Sequence, residues 1–171
     1  MSSTTKTMLK TSTPMRILGI DPGTTLIGYG IIDYNGKKYT PVIYGDFRTK
    51  SKIPNKDRVR DIYIFFDKLI KKYQPEKVSL ERLFFSKNAK TAMEVSEVRG
   101  VLLLVAANHG LIISEFTPQQ VKQAVSCYGK AEKFQVQTMV KLILQLDEIP
   151  KPDDTADALA IAICCANTIV Y

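Results

Sequence analysis

The first third of the chain carries short apolar blocks that are closed by turn residues. Three such blocks cover residues 16–21, 27–33 and 39–47. The first ends at Pro22-Gly23 and the second at Asn35-Gly36, and both pairs are turn signals. In the third, Pro41 cannot donate a ladder hydrogen bond and therefore favours the edge of a sheet. This pattern predicts a three-stranded antiparallel meander.

The period of the apolar positions changes to that of a helix after Pro54. Apolar residues then recur at spacings of three and four until Pro75, which predicts one amphipathic helix. A short strand over residues 78–81 follows, and after it a long helix over residues 89–108 that ends at Gly110. The second half of this helix is nearly all apolar, so it is either buried or part of an interface.

The remaining pattern predicts one more strand and three more helices. The strand covers residues 111–116, and the helices begin near Pro118, Ala131 and Asp154. Thr117 is the expected N-cap of the first of these helices, and Gly129 is expected to break it. A meander followed by alternating helices and strands predicts an α/β domain, with a mixed five-stranded sheet flanked by helices. We expect one domain over residues 15–171 and a flexible tail over residues 1–14, which is rich in Ser and Thr.

Charge and cysteine content narrow the class of protein. The chain has 171 residues with 24 Lys+Arg against 17 Asp+Glu, a net charge of +7, and this favours a polyanionic partner such as nucleic acid. Its unbroken apolar runs, such as residues 101–107, are much shorter than the roughly 20 residues that span a bilayer. The three cysteines form neither a disulfide framework nor a metal-binding spacing. We therefore expect a cytoplasmic protein without a membrane span.

Four acids occupy positions where charge is costly. Asp21 and Glu81 each end an apolar strand, while Asp154 and Asp157 lie three residues apart, on one face of an apolar helix. Clustered carboxylates repel one another unless a cation neutralises them, which favours hard divalent metals and Mg²⁺ above all. Two such ions, about 3.5–4 Å apart, could activate a water and stabilise a leaving oxygen. The residues themselves thus predict a divalent-metal phosphodiesterase, in which Mn²⁺ could substitute for Mg²⁺.

Some of these acids also have a purely structural interpretation, whereas Glu81 has no local backbone task. Asp21 before Pro22 could be a turn residue, and either Asp153 or Asp154 could be a helix N-cap. The single histidine, His109, lies at a helix end and is interpreted as structural.

Four segments carry a resemblance that covers residues 15–167. They are ILGIDPGTTLIGYGII, LERLFFSKNA, QVKQAVSCYGKAEKFQVQTMV and DDTADALAIAI. In order and spacing they resemble the RuvC family of Holliday junction resolvases. The resemblance implies a ribonuclease H-like fold, a homodimer, and paired symmetric nicks in four-way junction DNA during recombination and repair. It also implies a branch-migration complex of the RuvA and RuvB type as a partner.

The resemblance implies roles for particular residues. By motif, the catalytic metal ligands are Asp21, Glu81, Asp154 and Asp157. Phe84 is similar to an aromatic that inserts at the junction and stacks on a base, and Lys122 and Lys133 resemble lysines that contact DNA. Arg82 adds a charge beside Glu81 and joins the expected DNA contacts. Asp153 is an additional acid next to Asp154, which leaves open which of these two aspartates is the metal ligand.

Two other functions compete with this interpretation. Asp21-Pro22-Gly23-Thr24-Thr25 also resembles the first phosphate-binding turn of actin-like sugar kinases and ATPases, although no second phosphate motif follows. A non-catalytic junction-binding protein, or a nuclease of the same fold that acts on RNA, is the other alternative.

Because resolution needs two similar nicks, we expect two chains, with the apolar helix over residues 89–108 as their interface.

Overall fold

The apolar blocks of the sequence form a five-stranded sheet with helices on both faces in the computed structural model. The structure describes residues 13–50, 53–82 and 89–169. The strands are β1 (Met15–Asp21), β2 (Leu26–Tyr34), β3 (Tyr39–Arg48), β4 (Lys77–Glu81) and β5 (Ile112–Phe116). The helices are α1 (Asn55–Tyr73), α2 (Ala89–Asn108), α3 (Pro118–Ser126), α4 (Lys133–Leu144) and α5 (Asp153–Ala166). Each element that the sequence predicts is present, with bounds that differ by a few residues.

The sheet is mixed and has the strand order β3-β2-β1-β4-β5. The strands β1, β2 and β3 pair antiparallel, whereas β4 pairs parallel with both β1 and β5. Pro41 lies on β3, an edge strand, beside an irregularity in the register between Ile31 and Ile32. The predicted meander and the edge position of Pro41 are therefore confirmed.

Side-chain alternation along β1 divides the core into two layers. Leu18 and Ile20 pack in the layer that includes residues of α1 and α2, while Ile17 packs in the layer formed by α3, α4 and α5. Because side chains alternate along a strand, Gly19 and Asp21 share the face of Ile17. Every second residue of β1, from Ile17 to the last residue, Asp21, therefore faces α5.

Glycines on this face allow α5 to approach the sheet unusually closely. A Cβ at Gly19 would lie 2.7 Å from the backbone nitrogen of Ala162, and one at Gly30 would lie 2.8 Å from Cγ of Leu159. Both distances are too short for a real Cβ, so only glycine permits this packing. The close approach leaves α5 almost wholly buried between the sheet and the helices α3 and α4.

Helix termini account for the main differences from the sequence prediction. Thr117 is the N-cap of α3, as predicted, and its Oγ1 accepts a hydrogen bond from the Gln120 amide at 3.1 Å. The helix ends before Gly129, however, because Cys127 adopts the left-handed conformation, with φ of 57°. A Cβ at Gly129 would lie 2.9 Å from Cγ of Gln119, which is an exposed side chain that can shift.

The helix α5 begins one residue earlier than predicted. Its N-cap position is Pro152, so Asp153 and Asp154 both belong to the first helical turn. The alternative interpretation of one of them as the N-cap is therefore wrong. Acids in a first turn still interact favourably with the helix dipole.

Some predictions lie outside the described residues. They concern Phe84 and all but the last two residues of the flexible tail predicted over residues 1–14. Within the part of the chain that the structure describes, none of the helices is sufficiently long and apolar to span a membrane.

Candidate active site

Two of the predicted acids lie side by side at one edge of the sheet. The last paired residues of the parallel strands β1 and β4 are Ile20 and Leu80, so Asp21 and Glu81 follow at equivalent positions. Ser79, two residues before Glu81, donates a hydrogen bond to the carbonyl of Ile161 in α5 at 3.4 Å. By strand alternation Glu81, like Asp21, is on the α5 face. Neighbouring strands are about 4.8 Å apart, so the two carboxylates face the same small space.

The N-terminus of α5 brings Asp154 and Asp157 to this edge. Gly28 of β2 pairs directly with Asp21, and a Cβ at Gly28 would overlap the backbone carbonyl of Asp154. The absent side chain at Gly28 thus allows the first turn of α5 to reach Asp21. Asp157 follows one turn later on the same helix face.

The structure separates the two adjacent aspartates of α5. Asp153 turns towards lysines, with its Oδ2 3.3 Å from Nζ of Lys133 and its Oδ1 3.5 Å from Nζ of Lys151. Both aspartates act electrostatically on Asp157, but only Asp154 also raises the pKa of Asp21. Asp154 is therefore the member of the pair that belongs to the cluster with Asp21.

Burial and mutual repulsion disfavour the charged forms of these carboxyls. Burial, followed by the negative charges of Asp157, Glu81 and Asp154, raises the pKa of Asp21 to about 7, although Lys133 opposes the shift. Burial also raises the pKa of Glu81 and that of Asp157. The cluster therefore carries more negative charge than the nearby lysines neutralise, which fits a site for an added cation.

A cavity of about 210 Å³ opens beside the cluster and contains both predicted lysines. Glu81, Lys122, Lys133 and Asp157 contribute its polar wall. Nζ of Lys133 lies 3.2 Å from Oδ2 of Asp157. Burial lowers the pKa of Lys133, but the negative charges of Asp157 and Asp153 have the larger effect, and the net pKa is raised. The lysine therefore remains a cation.

The four carboxylates are suitable ligands for a hard divalent cation, but their side chains do not converge on one point. Carboxylate oxygens are the ligands that Mg²⁺ prefers. Across residues 13–50, 53–82 and 89–169, however, no three acidic, histidine or cysteine side chains converge closely enough to hold one ion together. Lys133 pairs with Asp157 and supplies positive charge at one side of the cluster. Binding of a cation would thus require small side-chain movements of the acids.

The other predicted residues lie in different surroundings. Arg82 is exposed just after β4, and its backbone N–H donates to the carbonyl of Phe116 at 2.7 Å. His109 lies away from the cluster, with Nε2 2.8 Å from Oδ1 of Asp67, in agreement with a structural role. The sequence interpretation did not predict that strand glycines allow α5 to pack close to the sheet. Glycines inside strands are nevertheless a signal of close backbone approach.

Asp21→Asn should stabilise the protein when no divalent metal is present. The pKa of Asp21 is about 7, against an ordinary value of 3.8, so its contribution to stability is greatest below about pH 4 and is lost as the pH rises through 7. At pH 8, removal of the buried charge should increase the free energy of unfolding by about 2–4 kcal/mol. Urea unfolding at pH 8 and pH 5 would measure this gain, which should shrink at the lower pH.

Asp46→Asn is the matched control for this measurement. Asp46 lies near the same edge of the sheet, but it is paired with Arg48, with 2.7 Å between Oδ2 and Nε. Its replacement should give no gain in stability at either pH. Equal behaviour of the two variants would mean that the charge of Asp21 is not penalised in the folded protein.

Comparisons with known proteins agree with this architecture. Residues 17–165 match the family model described as crossover junction endodeoxyribonuclease RuvC. Proteins of that name from Alkaliphilus metalliredigens and Caldanaerobacter subterraneus are 53% and 52% identical to this chain. The alignments cover 90% and 88% of this chain, and 94% and 91% of the relatives.

Solved structures give the same result. Thermus thermophilus RuvC in complex with a Holliday junction substrate is 36% identical and has a TM-score of 0.84, with 88% of this chain and 92% of that chain covered. The yeast mitochondrial Holliday junction resolvase, at 17% identity and a TM-score of 0.67 over 89% of this chain and 78% of its own, shares the fold. The predicted ribonuclease H-like fold is therefore confirmed. With a family match over most of its length and relatives that are half identical, this chain belongs to the RuvC family of crossover junction endodeoxyribonucleases.

Proposed function

We propose that this chain is a divalent-metal-dependent endonuclease that resolves four-way DNA junctions by paired symmetric nicks, in recombination and repair. The observation that carries the proposal is the cluster of Asp21, Glu81, Asp154 and Asp157 at one sheet edge, beside a cavity that contains two lysines. The similar Thermus thermophilus protein bound to a Holliday junction substrate supports the choice of DNA. The family match over residues 17–165 favours a nuclease over an actin-like kinase.

The residues of the site divide into acids that hold metal and lysines that hold DNA. Asp21, Glu81, Asp154 and Asp157 would bind Mg²⁺, two ions per site, with Mn²⁺ as a substitute. The bound metal supplies positive charge that stabilises a phosphodiester as it is hydrolysed. Because Asp21 and Glu81 follow paired residues of neighbouring strands, their backbones are held side by side for this task.

Positive side chains around the acids would position the DNA backbone. Lys122 and Lys133 line the cavity, and Arg82 is exposed just beyond Glu81. Contacts to phosphate give affinity that depends on salt and is independent of base sequence. Selection of the junction would then come from its shape, together with the aromatic residue Phe84.

Phe84→Ala should slow junction cutting more than it weakens junction binding. A residue that stacks on a base at the branch point orients the DNA for the reaction, whereas most of the affinity comes from the lysines. We expect a loss of about tenfold in the cutting rate, the effect of about one stacking contact. Single-turnover rates and gel-shift affinities would measure both quantities, and an unaltered rate would remove Phe84 from this role.

A homodimer would place one active site on each of the two strands to be cut. In the described part of the chain, Met93 and Leu104 of α2 and Ile112 of the edge strand β5 are exposed apolar residues. An ion pair between Arg99 and Glu115 joins the two elements. Met93 and Leu104 are eleven residues apart and therefore lie on one face of α2, and an exposed apolar face of this kind favours association with a second copy. Branch-migration proteins of the RuvA and RuvB type are the further partners that we propose.

Leu104→Glu should convert the dimer to a monomer, because it places a charge in the centre of the proposed apolar interface. Sedimentation equilibrium at micromolar concentration should give twice the mass of the chain for the wild type, and the mass of one chain for the variant. Ile64→Glu, at an exposed apolar position of α1, is the control and should remain dimeric. A monomeric wild type would contradict the proposed interface.

The proposed function is tested by a comparison of substrates. A synthetic four-way junction, a linear duplex of the same sequence and an RNA–DNA hybrid are each incubated with Mg²⁺ or with EDTA. We expect cutting of the junction alone, and only with Mg²⁺. Junction binding without any cutting would identify a non-catalytic binder, and preferential cutting of the hybrid would identify a nuclease that acts on RNA.

A further inference from the structure

A basic hollow lies between the end of β3 and one face of α1. Its volume is about 310 Å³. The stacked rings of Phe47 and Phe65, with 4.4 Å between their centroids, contribute apolar surface to it. Its charged lining residues are Arg48, Lys50, Asp61 and Lys68. Three of these four are basic, so the hollow favours an anionic occupant.

Two lysines of the hollow carry charges that no acid neutralises. The acid that lines it, Asp61, lies 3.7 Å from a guanidinium nitrogen of Arg60, which is not a lining residue. Within the ranges that the structure describes, neither Lys50 nor Lys68 forms an ion pair, and both are exposed. Lysines of this kind attract phosphates whatever the base sequence of the nucleic acid. The hollow therefore has a positive charge that a phosphate could offset.

The hollow lies at the sheet edge that carries the active-site acids. Gly28 of β2 pairs with Asp21 on one side and with Asp46 of β3 on the other. Arg48, two residues beyond Asp46, lines the hollow, and its Nε lies 2.7 Å from Oδ2 of Asp46. Two strand spacings, about 10 Å, separate Asp46 from Asp21. A nucleic-acid strand advances about 3.4 Å per nucleotide, so this distance corresponds to roughly three nucleotides.

Lysines thus flank the acids on both sides along this edge. The cavity that contains Lys122 and Lys133 also includes Pro118, which lies two residues after the end of β5. Lys50 lies just beyond the end of β3, and β3 and β5 are the two outer strands of the sheet. A DNA strand that follows the edge across the acids would therefore contact lysines on either side of them.

We propose that the basic hollow of Lys50 and Lys68 binds the phosphate backbone of a junction arm, about three nucleotides from the phosphate that is cut. The inference rests on the proposed function, because it takes the acids as the place of cutting. A contact to a phosphodiester adds affinity that depends on salt and gives no base preference. This second contact holds the arm along the sheet edge, so that the scissile phosphate reaches the acids.

Binding of a labelled four-way junction in EDTA, over a series of salt concentrations, tests the contact. The double variant Lys50→Ala with Lys68→Ala should bind about tenfold more weakly than the wild type at about 0.1 M salt. The slope of log affinity against log salt concentration should become shallower by about two, one for each lost phosphate contact. Lys50→Arg with Lys68→Arg, which keeps both charges, should retain the affinity and the slope of the wild type.

Lys37→Ala with Lys38→Ala is the matched control. Both lysines are exposed in the turn between β2 and β3, and the variant loses the same charge as the variant of the hollow. This turn is at the opposite end of β3, roughly 30 Å from the hollow, which is well beyond the Debye length at this salt concentration. The control should therefore bind the junction as the wild type does.

Three results would overturn the contact. The first is an unchanged salt dependence in the variant of the hollow, and the second is an equal loss in the control, which would reflect net charge alone. The third comes from vesicles of equal parts phosphatidylserine and phosphatidylcholine. Vesicle binding that is lost in the variant of the hollow, with junction affinity unchanged, would assign the hollow to a membrane surface. A wild type that cuts linear duplex as readily as junctions would instead contradict the proposed function, and the binding losses would still decide the contact.

Discussion

Asp21→Asn should lower the rate of junction cutting by about 1,000-fold or more while it leaves junction affinity largely intact. The carboxyl of Asp21 interacts with the charges of Asp157, Glu81 and Asp154, so loss of its charge weakens the site for metal. Affinity for the junction depends on lysines and is therefore retained. Single-turnover cutting in Mg²⁺ and gel-shift titration in EDTA would measure the two effects separately. Cutting at the wild-type rate would contradict the assignment of Asp21.

The adjacent acids of α5 offer a matched pair of variants for the same assay. Asp154→Asn should lower the cutting rate nearly as severely as Asp21→Asn, because Asp154 acts on Asp21. Asp153→Asn should have a small effect, since Asp153 contacts Lys133 and Lys151 instead. A larger loss of cutting rate in Asp153→Asn than in Asp154→Asn would mean that Asp153, and not Asp154, is the metal ligand.

Gly28→Ala should disrupt the active site without any change in its acids. The added methyl group would overlap the backbone carbonyl of Asp154 and lie 3.0 Å from the amide nitrogen of Thr155, so the first turn of α5 must move away from Asp21. We expect a loss of about 2–4 kcal/mol in the free energy of unfolding, as for other overpacked core positions, and little remaining cutting activity. Urea unfolding and the junction-cutting assay would test both.

Gly45→Ala is the control for this variant. A Cβ at Gly45 would meet only the side chain of Tyr29, whose hydroxyl oxygen lies 3.0 Å away and can shift. The variant should therefore retain most of its cutting activity. Equal loss of activity in the two variants would mean that the Gly28 contact does not determine the geometry of the site.

The sequence predicts the elements well where periodicity and turn chemistry agree. The apolar blocks of β1 and β2 with their closing turns, the edge position of Pro41 and the N-cap Thr117 are all local signals, and the structure agrees with each. The acids Asp21 and Glu81 could also be predicted to meet, because parallel strand ends lie at one edge of a sheet.

Other features depend on packing between distant segments and could not be predicted. The choice between Asp153 and Asp154 depends on where α5 begins and on the positions of Lys133 and Lys151. The end of α3 depends on Cys127, a residue type that rarely adopts positive φ, and no local pattern indicates it. The basic hollow likewise depends on how β3 and α1 pack together.

Strand-by-strand mapping of the nicks in one junction tests the central claim most directly. Each of the four strands is labelled in turn, and the junction is incubated with the wild type in Mg²⁺ and in EDTA. The proposed site predicts two nicks at symmetric positions in opposite strands, with Mg²⁺ only. Nicks in EDTA, or a single nick at an arbitrary position away from the branch point, would contradict a metal-dependent junction resolvase built on these carboxylates.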